Sequence, residues 1–223
     1  MTGKTRSRIG AIELPVHRLH VELTNRCNFS CEFCPDRSMR RPRGSMPLWM
    51  VEHVLADAGR GGIARQVHFH VMGEPLCSPL LPAAVGFARR HGMEAWVTTN
   101  GSLLTPSLLT ELQAAGLSHL TISLQTPDAP TFARRGSGLL SFDQYREGLI
   151  GTLRAFLARP SGLHLSICFL SNPLRRFHAP GASSIRVAES GRELRAHMGR
   201  WVERIFAGTA LEPQIPALLP RLK

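Results

Sequence analysis

The sequence predicts an α/β fold built from repeated strand–helix units, and three observations carry that prediction. Short apolar or alternating runs recur along the chain, each followed by a stretch whose apolar residues return at helical spacing. Glycine, proline and asparagine punctuate the joints between them. The reactive side chains fall just after the strand-like runs, where folds of this class place their chemistry.

Residues 17–23 alternate in the manner of a strand, and Thr24-Asn25-Arg26 ends the run. Next comes Cys27-Asn28-Phe29-Ser30-Cys31-Glu32-Phe33-Cys34, with three thiols at the spacing CxxxCxxC. Three soft thiolates in so short a stretch can serve one metal centre, and an iron–sulfur cluster normally takes four cysteines. One iron would then lack a protein ligand, and an open metal position is where a small molecule can bind and react. A zinc site would want a fourth Cys or His, and the nearest downstream histidine is His53, beyond a basic loop. A disulfide framework suits neither five cysteines nor a 223-residue chain able to bury its own core.

The remaining elements follow in order. A helix is expected from Met46-Pro47-Leu48 to Gly59, with Leu48, Val51, Val54 and Leu55 on one face and proline near its start. Residues 67–71 form a second strand that runs into Met72-Gly73-Glu74-Pro75. A helix over about residues 80–91 buries Leu81, Val85, Phe87 and Ala88. Residues 94–98 are the third strand, closing in Thr99-Asn100-Gly101, and residues 106–115 the third helix, stopped by Gly116. Residues 119–124 are the fourth strand, ending in Ser123-Leu124-Gln125. An amphipathic helix over 142–158 carries Phe142, Tyr145, Leu149, Leu153 and Phe156 on its core face, and residues 163–170 are the fifth strand. Cys77 and Cys168 read as small buried hydrophobes. Beyond Pro173 a basic loop over 175–182 precedes a helix over 190–206 with Leu194, Met198, Trp201, Val202 and Ile205 as its stripe. Residues 215–219 supply either a short sixth strand or a docked tail.

Composition sets the outer limits. With 43% hydrophobic residues the chain makes one domain. We expect an N-terminal extension over 1–16, a core over 17–170, and a C-terminal helix and tail over 171–223. No apolar run approaches the ~20 residues that span a bilayer, and no signal-peptide core follows the basic start, so a cytoplasmic protein without a membrane partner is expected. The formal net charge of +11 invites a nucleic-acid reading, but the 25 arginines are scattered, and one Tyr and three Trp give no interleaved stacking surface. Arg37, Arg40, Arg41 and Arg43 cluster just after the third cysteine. They form a solvated loop, or a subset of them binds an anionic substrate group.

The cysteine loop with its companions resembles the radical S-adenosylmethionine (SAM) enzymes. The resemblance implies a [4Fe-4S] cluster on Cys27, Cys31 and Cys34, with SAM chelating the fourth iron, and Phe33 with its backbone near the adenine. A reduced cluster would cleave SAM to a 5′-deoxyadenosyl radical that takes a hydrogen atom from an unidentified small-molecule or peptide substrate. Met72-Gly73-Glu74-Pro75 stands where the family carries a GGE-like motif for the amino group of SAM, with Met72 in place of the first glycine. Thr99-Asn100-Gly101 matches the family's element there, whereas Ser123-Leu124-Gln125 departs from the commoner Ser-Leu-Asp. The resemblance therefore implies Gly73, Glu74, Pro75, Asn100, Ser123 and Gln125 as cofactor-binding residues. Arg135, beside Gly136, is added as the partner of the SAM carboxylate or of a substrate anion. The implied fold is a partial (β/α)6 TIM-like barrel, possibly truncated at its C-terminus. Members similar in these motifs often carry a SPASM or Twitch extension with auxiliary clusters, but no cysteine follows Cys168. An external flavodoxin or ferredoxin is then the expected electron donor. A catalytically inactive iron–sulfur-binding remnant and a basic nucleic-acid-binding module are the alternatives.

Overall fold

A computed structural model of the chain describes residues 8, 9, 12–159, 161–171, 188 and 190–219. Two short antiparallel strands, β1 (Arg8–Ile9) and β2 (Ile12–Glu13), lead into a five-stranded sheet. Its strands are β3 (Val16–His20), β4 (Ala64–His68), β5 (Glu94–Thr99), β6 (Leu117–Gln125) and β7 (His164–Phe169), all parallel and side by side in chain order. Parallel neighbours cannot be joined by tight turns, so each pair needs a crossover. Helices α1 (Leu48–Arg60), α2 (Leu81–Arg90), α3 (Pro106–Ala115) and α5 (Phe142–Leu157) supply them. Among the described residues the sheet stays open, with β3 and β7 as its edges. This is the α/β arrangement expected, in the form of a partial barrel.

Local chemistry fixes these elements. Thr105 caps α3 by accepting from the Leu108 amide, and Gly116 ends the helix in the left-handed region at φ 95°. Ser141 and Gln144 form a reciprocal capping box on α5. The helices bury Val51, Leu55, Leu81, Val85, Leu109, Leu112, Leu149 and Leu153. Against them lie every second residue of the strands: Val67, Ala95, Val97, Leu120, Ile122 and Leu124. The alternate positions turn to the other face of the sheet.

Element boundaries differ from expectation where the sequence pattern outlasts the ladder. The first strand pairs only from Val16 to His20, although the Val21 amide still reaches the His68 carbonyl at 3.0 Å. The second strand starts earlier, at Ala64, and ends at His68 because the chain turns away toward Gly73. The segment after β6 forms a four-residue helix, α4 (Ala129–Phe132), capped by Asp128. The C-terminal helix appears as α6 (Gly191–Phe206), with Ser190 as its cap. Buried Trp201 ties it to the body by donating to the Pro127 carbonyl at 3.0 Å. Residues 215–218 form a short helix, α7 (Ile215–Leu218), that packs on α6, so of the two alternatives the docked tail stands and the sixth strand does not. One expectation is corrected. Cys168 is exposed instead of buried, because it lies on an edge strand that has no neighbour on its far side among the described residues. The basic loop expected over 175–182 lies outside the described residues. No helix among the described residues is long and apolar enough to cross a membrane.

Candidate active site at the carboxyl ends of the strands

The cysteine loop leaves the carboxyl end of β3, and neighbouring segments lock it from three sides. From β4's side, the Glu74 amide donates to the Arg26 carbonyl at 2.8 Å. Gly73 sits at φ 77°, and a Cβ there would meet the Thr24 carbonyl oxygen at 2.6 Å and that of Arg26 at 2.8 Å. Only glycine permits both the angle and the approach. From β5's side, Asn100 donates through Nδ2 to Asn28 Oδ1 at 2.9 Å, and Asn28 Nδ2 donates to Ser102 Oγ at 2.8 Å. From β6's side, the Ser30 amide donates to the Arg135 carbonyl at 3.1 Å and the Glu32 amide to the Arg134 carbonyl at 3.0 Å. An Arg134–Glu32 ion pair at 2.9 Å reinforces that last contact.

All three cysteines are half-buried free thiols. Burial pushes Cys27 up to about 11, opposed by a hydrogen bond from the Phe29 amide and reinforced by the charges of Glu74, Cys31 and Cys77. Cys31 is pushed up by burial, opposed by the positive charge of Arg135 and reinforced by Cys34. Each thiolate is thus felt by the next along the loop, and a cation among them would relieve that repulsion. Among the described residues no three His, Cys, Asp or Glu side chains gather tightly enough to hold one metal ion. Ligands of a cluster each take a different iron, so a cluster asks less convergence of its three thiols than a single zinc does. Cys77, expected to be an inert small hydrophobe, also lies within electrostatic reach of Cys27.

Several of the expected cofactor residues lie around the loop. Glu74 is 2% exposed, and its carboxylate accepts from the Thr99 hydroxyl at 2.6 Å, the Asn100 amide at 2.7 Å and the Leu76 amide at 3.1 Å. Burial pushes its pKa up against those hydrogen bonds. Its carboxylate therefore organises the ends of β4 and β5. Pro75 is buried and opens a turn of 3-10 helix, while Phe33 is half-buried on the loop. Ser123 and Gln125 are half-buried at the end of β6, with Gln125 in the left-handed region at φ 56°.

Arg135 is expected to partner the SAM carboxylate or a substrate anion. It is 2% exposed, and its guanidinium donates to the carbonyls of Leu124 at 2.7 Å and Ser123 at 3.0 Å while lying 4.8 Å over the Phe29 ring. Its charge is also felt by the Cys31 thiol on the cysteine loop. Of the loop arginines, Arg43 pairs with Asp36 at 2.6 Å and donates to the Asn25 carbonyl, and Arg41 pairs with Glu22 at 2.7 Å. Sequence reasoning missed Asn28, Ser102 and Tyr145. Tyr145, the only tyrosine, was read as core, yet its buried hydroxyl donates to the Asn100 carbonyl at 2.8 Å. A lone hydroxyl on an otherwise apolar helix stripe was the available signal. A cleft of about 920 Å³ lies at the opposite, amino-terminal edge of the sheet, lined among others by Glu13, His17, Arg65 and His91, and it includes none of these residues.

Comparison with known proteins agrees with this geometry. Residues 21–150 match the family model described as the Radical SAM superfamily. The chain is 38% identical over 144 residues to a GTP 3′,8-cyclase of Synechococcus sp. (strain CC9902), covering 60% of this chain and 39% of that protein. It is 32% identical over 157 residues to a PqqA peptide cyclase of Gluconobacter oxydans, covering 70% and 42%. A tungsten-containing aldehyde ferredoxin oxidoreductase cofactor-modifying protein of Pyrococcus furiosus is 30% identical over 106 residues, covering 48% and 30%. The chain thus spans less than half the length of these relatives. Among solved structures, Streptococcus suis SuiB superposes with a TM-score of 0.58 at 16% identity, over 88% of this chain and 48% of that one. anSMEcpe with bound AdoMet gives 0.57 at 14% identity, over 86% and 59%. At such identities these two share the fold.

Proposed function

Because the chain belongs to the radical SAM superfamily, we propose that Cys27, Cys31 and Cys34 bind three irons of a [4Fe-4S] cluster and leave the fourth for SAM. Such a cluster, if bound and reduced, would supply the electron for cleavage of SAM to a 5′-deoxyadenosyl radical able to take a hydrogen atom from substrate. The chain's own residues hold, orient and exclude water. Gly73 brings main chain close to the cysteine loop and offers carbonyls to an ammonium group. Asn100 fixes the loop through Asn28, and Ser123 and Gln125 present neutral polar groups at the next strand end. The backbone beside Phe33 borders the adenine. Glu74, Pro75 and Arg135 act one step back by fixing the strand ends that carry these groups.

The observation that carries this reading is the three-sided lock: half-buried thiols held at the carboxyl edge of a parallel sheet by the ends of β4, β5 and β6. On this reading residues 17–170 form the core, and 171–223 cap or complete it. Substrate is a small molecule or peptide, and a flavodoxin or ferredoxin in the cytoplasm delivers the electron. The test is anaerobic reconstitution with iron and sulfide, then dithionite and SAM. Chromatography should show 5′-deoxyadenosine, and Cys31→Ala should remove both the iron and the product. A sample with full iron and sulfide content that leaves SAM intact sinks the proposal.

A further inference from the structure

The face of the sheet away from the helices carries a line of rings, one from each strand. Strand register sets His20 against His68, His68 against Trp96, Trp96 against His119, and His119 against His164. Successive ring centroids lie 5.0, 5.1, 3.5 and 5.0 Å apart. Inward layers of closed α/β barrels are filled by branched aliphatic residues, so a polar aromatic layer calls for another explanation than packing.

At the β3–β4 end the line thickens into a triangle. His70 lies 5.4 Å from His20 and 5.6 Å from His68, centroid to centroid. His20 Nδ1 is engaged by the His70 carbonyl at 3.0 Å, which orients that ring. His68 is 5% exposed and its Nε2 has no partner, and the buried Nδ1 of His70 has none either. A buried nitrogen without a partner is destabilising, and a ligand atom would supply the missing hydrogen bond. Arg18, on the same face of β3 two residues before His20, adds a cation.

The nitrogens do not converge on one point as a bound metal ion would require, and the surroundings favour the opposite charge. Burial, then His20, His70, Arg18 and His17, push His68 down to about 4, and burial, His20 and Arg18 push His70 down. Of the carboxylates on this face, Glu22, two residues past His20, is paired with Arg41 at 2.7 Å and accepts from the Met72 amide at 2.8 Å, and Glu94, two strands from β3, accepts from Gln66 at 3.3 Å and Trp96 at 3.4 Å. The unmet hydrogen-bonding capacity therefore sits in a positive corner.

We propose that His20, His68, His70 and Arg18 form a binding site for an oxyanion, the carboxylate or phosphate group of the substrate. His70 precedes Gly73 by three residues, so the site lies about 10 Å of extended chain from the segment assigned to SAM, within reach of one small molecule. Calling the ligand substrate rests on the radical SAM reading; the oxyanion site itself does not.

The probe is inorganic phosphate, titrated calorimetrically into the full chain with its cluster reconstituted, while the histidine side-chain resonances are followed by NMR. A single saturable site should appear, with the His68 and His70 resonances moving. His68→Gln and Arg18→Gln should each weaken binding by about tenfold or more, the loss of one charge-assisted hydrogen bond or cation. Arg159→Gln, at an exposed position beyond α5, should leave it unchanged. Should His68→Gln fail to fold by circular dichroism, Arg18→Gln at its exposed position decides. Wild-type protein that shows no saturable binding, or binding that survives both substitutions, overturns the site. SAM cleavage in the same samples separates the two claims. Cleavage without phosphate binding removes the oxyanion site alone, whereas binding without cleavage removes its assignment to a radical enzyme's substrate.

Discussion

Replacing Arg135 by methionine tests whether its guanidinium is a strut or a ligand-binding group. The side chain is 2% exposed and donates to two main-chain carbonyls, Leu124 at 2.7 Å and Ser123 at 3.0 Å, with Tyr145 Oη at 3.4 Å. Methionine fills similar space and donates nothing, so both carbonyls lose their donor at about 1–3 kcal/mol each. Phe29 also loses a cation contact of about 0.5–2 kcal/mol. Relief from burying a charge, including the unpartnered Nε, works the other way. The carbonyls are fixed in the backbone and remain after the substitution, so the loss prevails, at about 3 kcal/mol. For a chain of this size that lowers Tm by about 10 °C. Thermal and urea denaturation of the cluster-free protein measure it, and iron content after reconstitution should fall because Ser30 and Glu32 hang on the same segment. If Arg135→Met stays within about 1 kcal/mol of wild type and instead raises the KM for SAM, the strut argument is wrong and the arginine binds the cofactor.

Three further substitutions probe other parts of the site. Gly73→Ala drives a methyl into the Thr24 and Arg26 carbonyls at a positive φ; iron and sulfide analysis should show that the variant no longer takes up a full cluster, and normal loading would refute the lock. Glu74→Gln replaces an acceptor of three hydrogen bonds with a group that accepts on one side only, which should cost about 2–4 kcal/mol in denaturant titration. His68 governs a pH effect: its folded pKa of about 4 lies below the ordinary 6.5, so its contribution is whole above pH 6.5. Between 6.5 and 4 the unfolded chain takes a proton that the folded chain refuses, and stability should fall by at most about 3 kcal/mol. His68→Gln should flatten that decline in phosphate-free buffer, and an unchanged slope would assign it elsewhere.

Strand and helix order could be read from the sequence because each element carried a local signal: Gly116 after α3, the Phe142-to-Phe156 apolar stripe of α5, the period-two pattern of β6. The cysteine loop was equally legible, since the CxxxCxxC spacing is itself a local pattern. What the sequence concealed are contacts whose partners lie far along the chain. Nothing local to Tyr145 points at the Asn100 carbonyl, and nothing local to Arg135 tells whether its charge faces a ligand or the carbonyls of β6. The ring line was hidden for the same reason: His20, His68, Trp96, His119 and His164 are unremarkable one by one and become neighbours only through strand register.

The lock on the cysteine loop has a temporal consequence. Ser30 and its partner Gly136 are 106 positions apart, and the thiols leave the ribosome long before the arginine segment that fastens them. A nascent chain displaying the three cysteines has no finished cradle, and metal offered then would meet a loose, oxidisable peptide. On the proposed cluster reading, delivery of iron and sulfide would belong after translation has passed the arginine segment that follows β6. The order in which the chain emerges thus becomes part of how its loop is assembled.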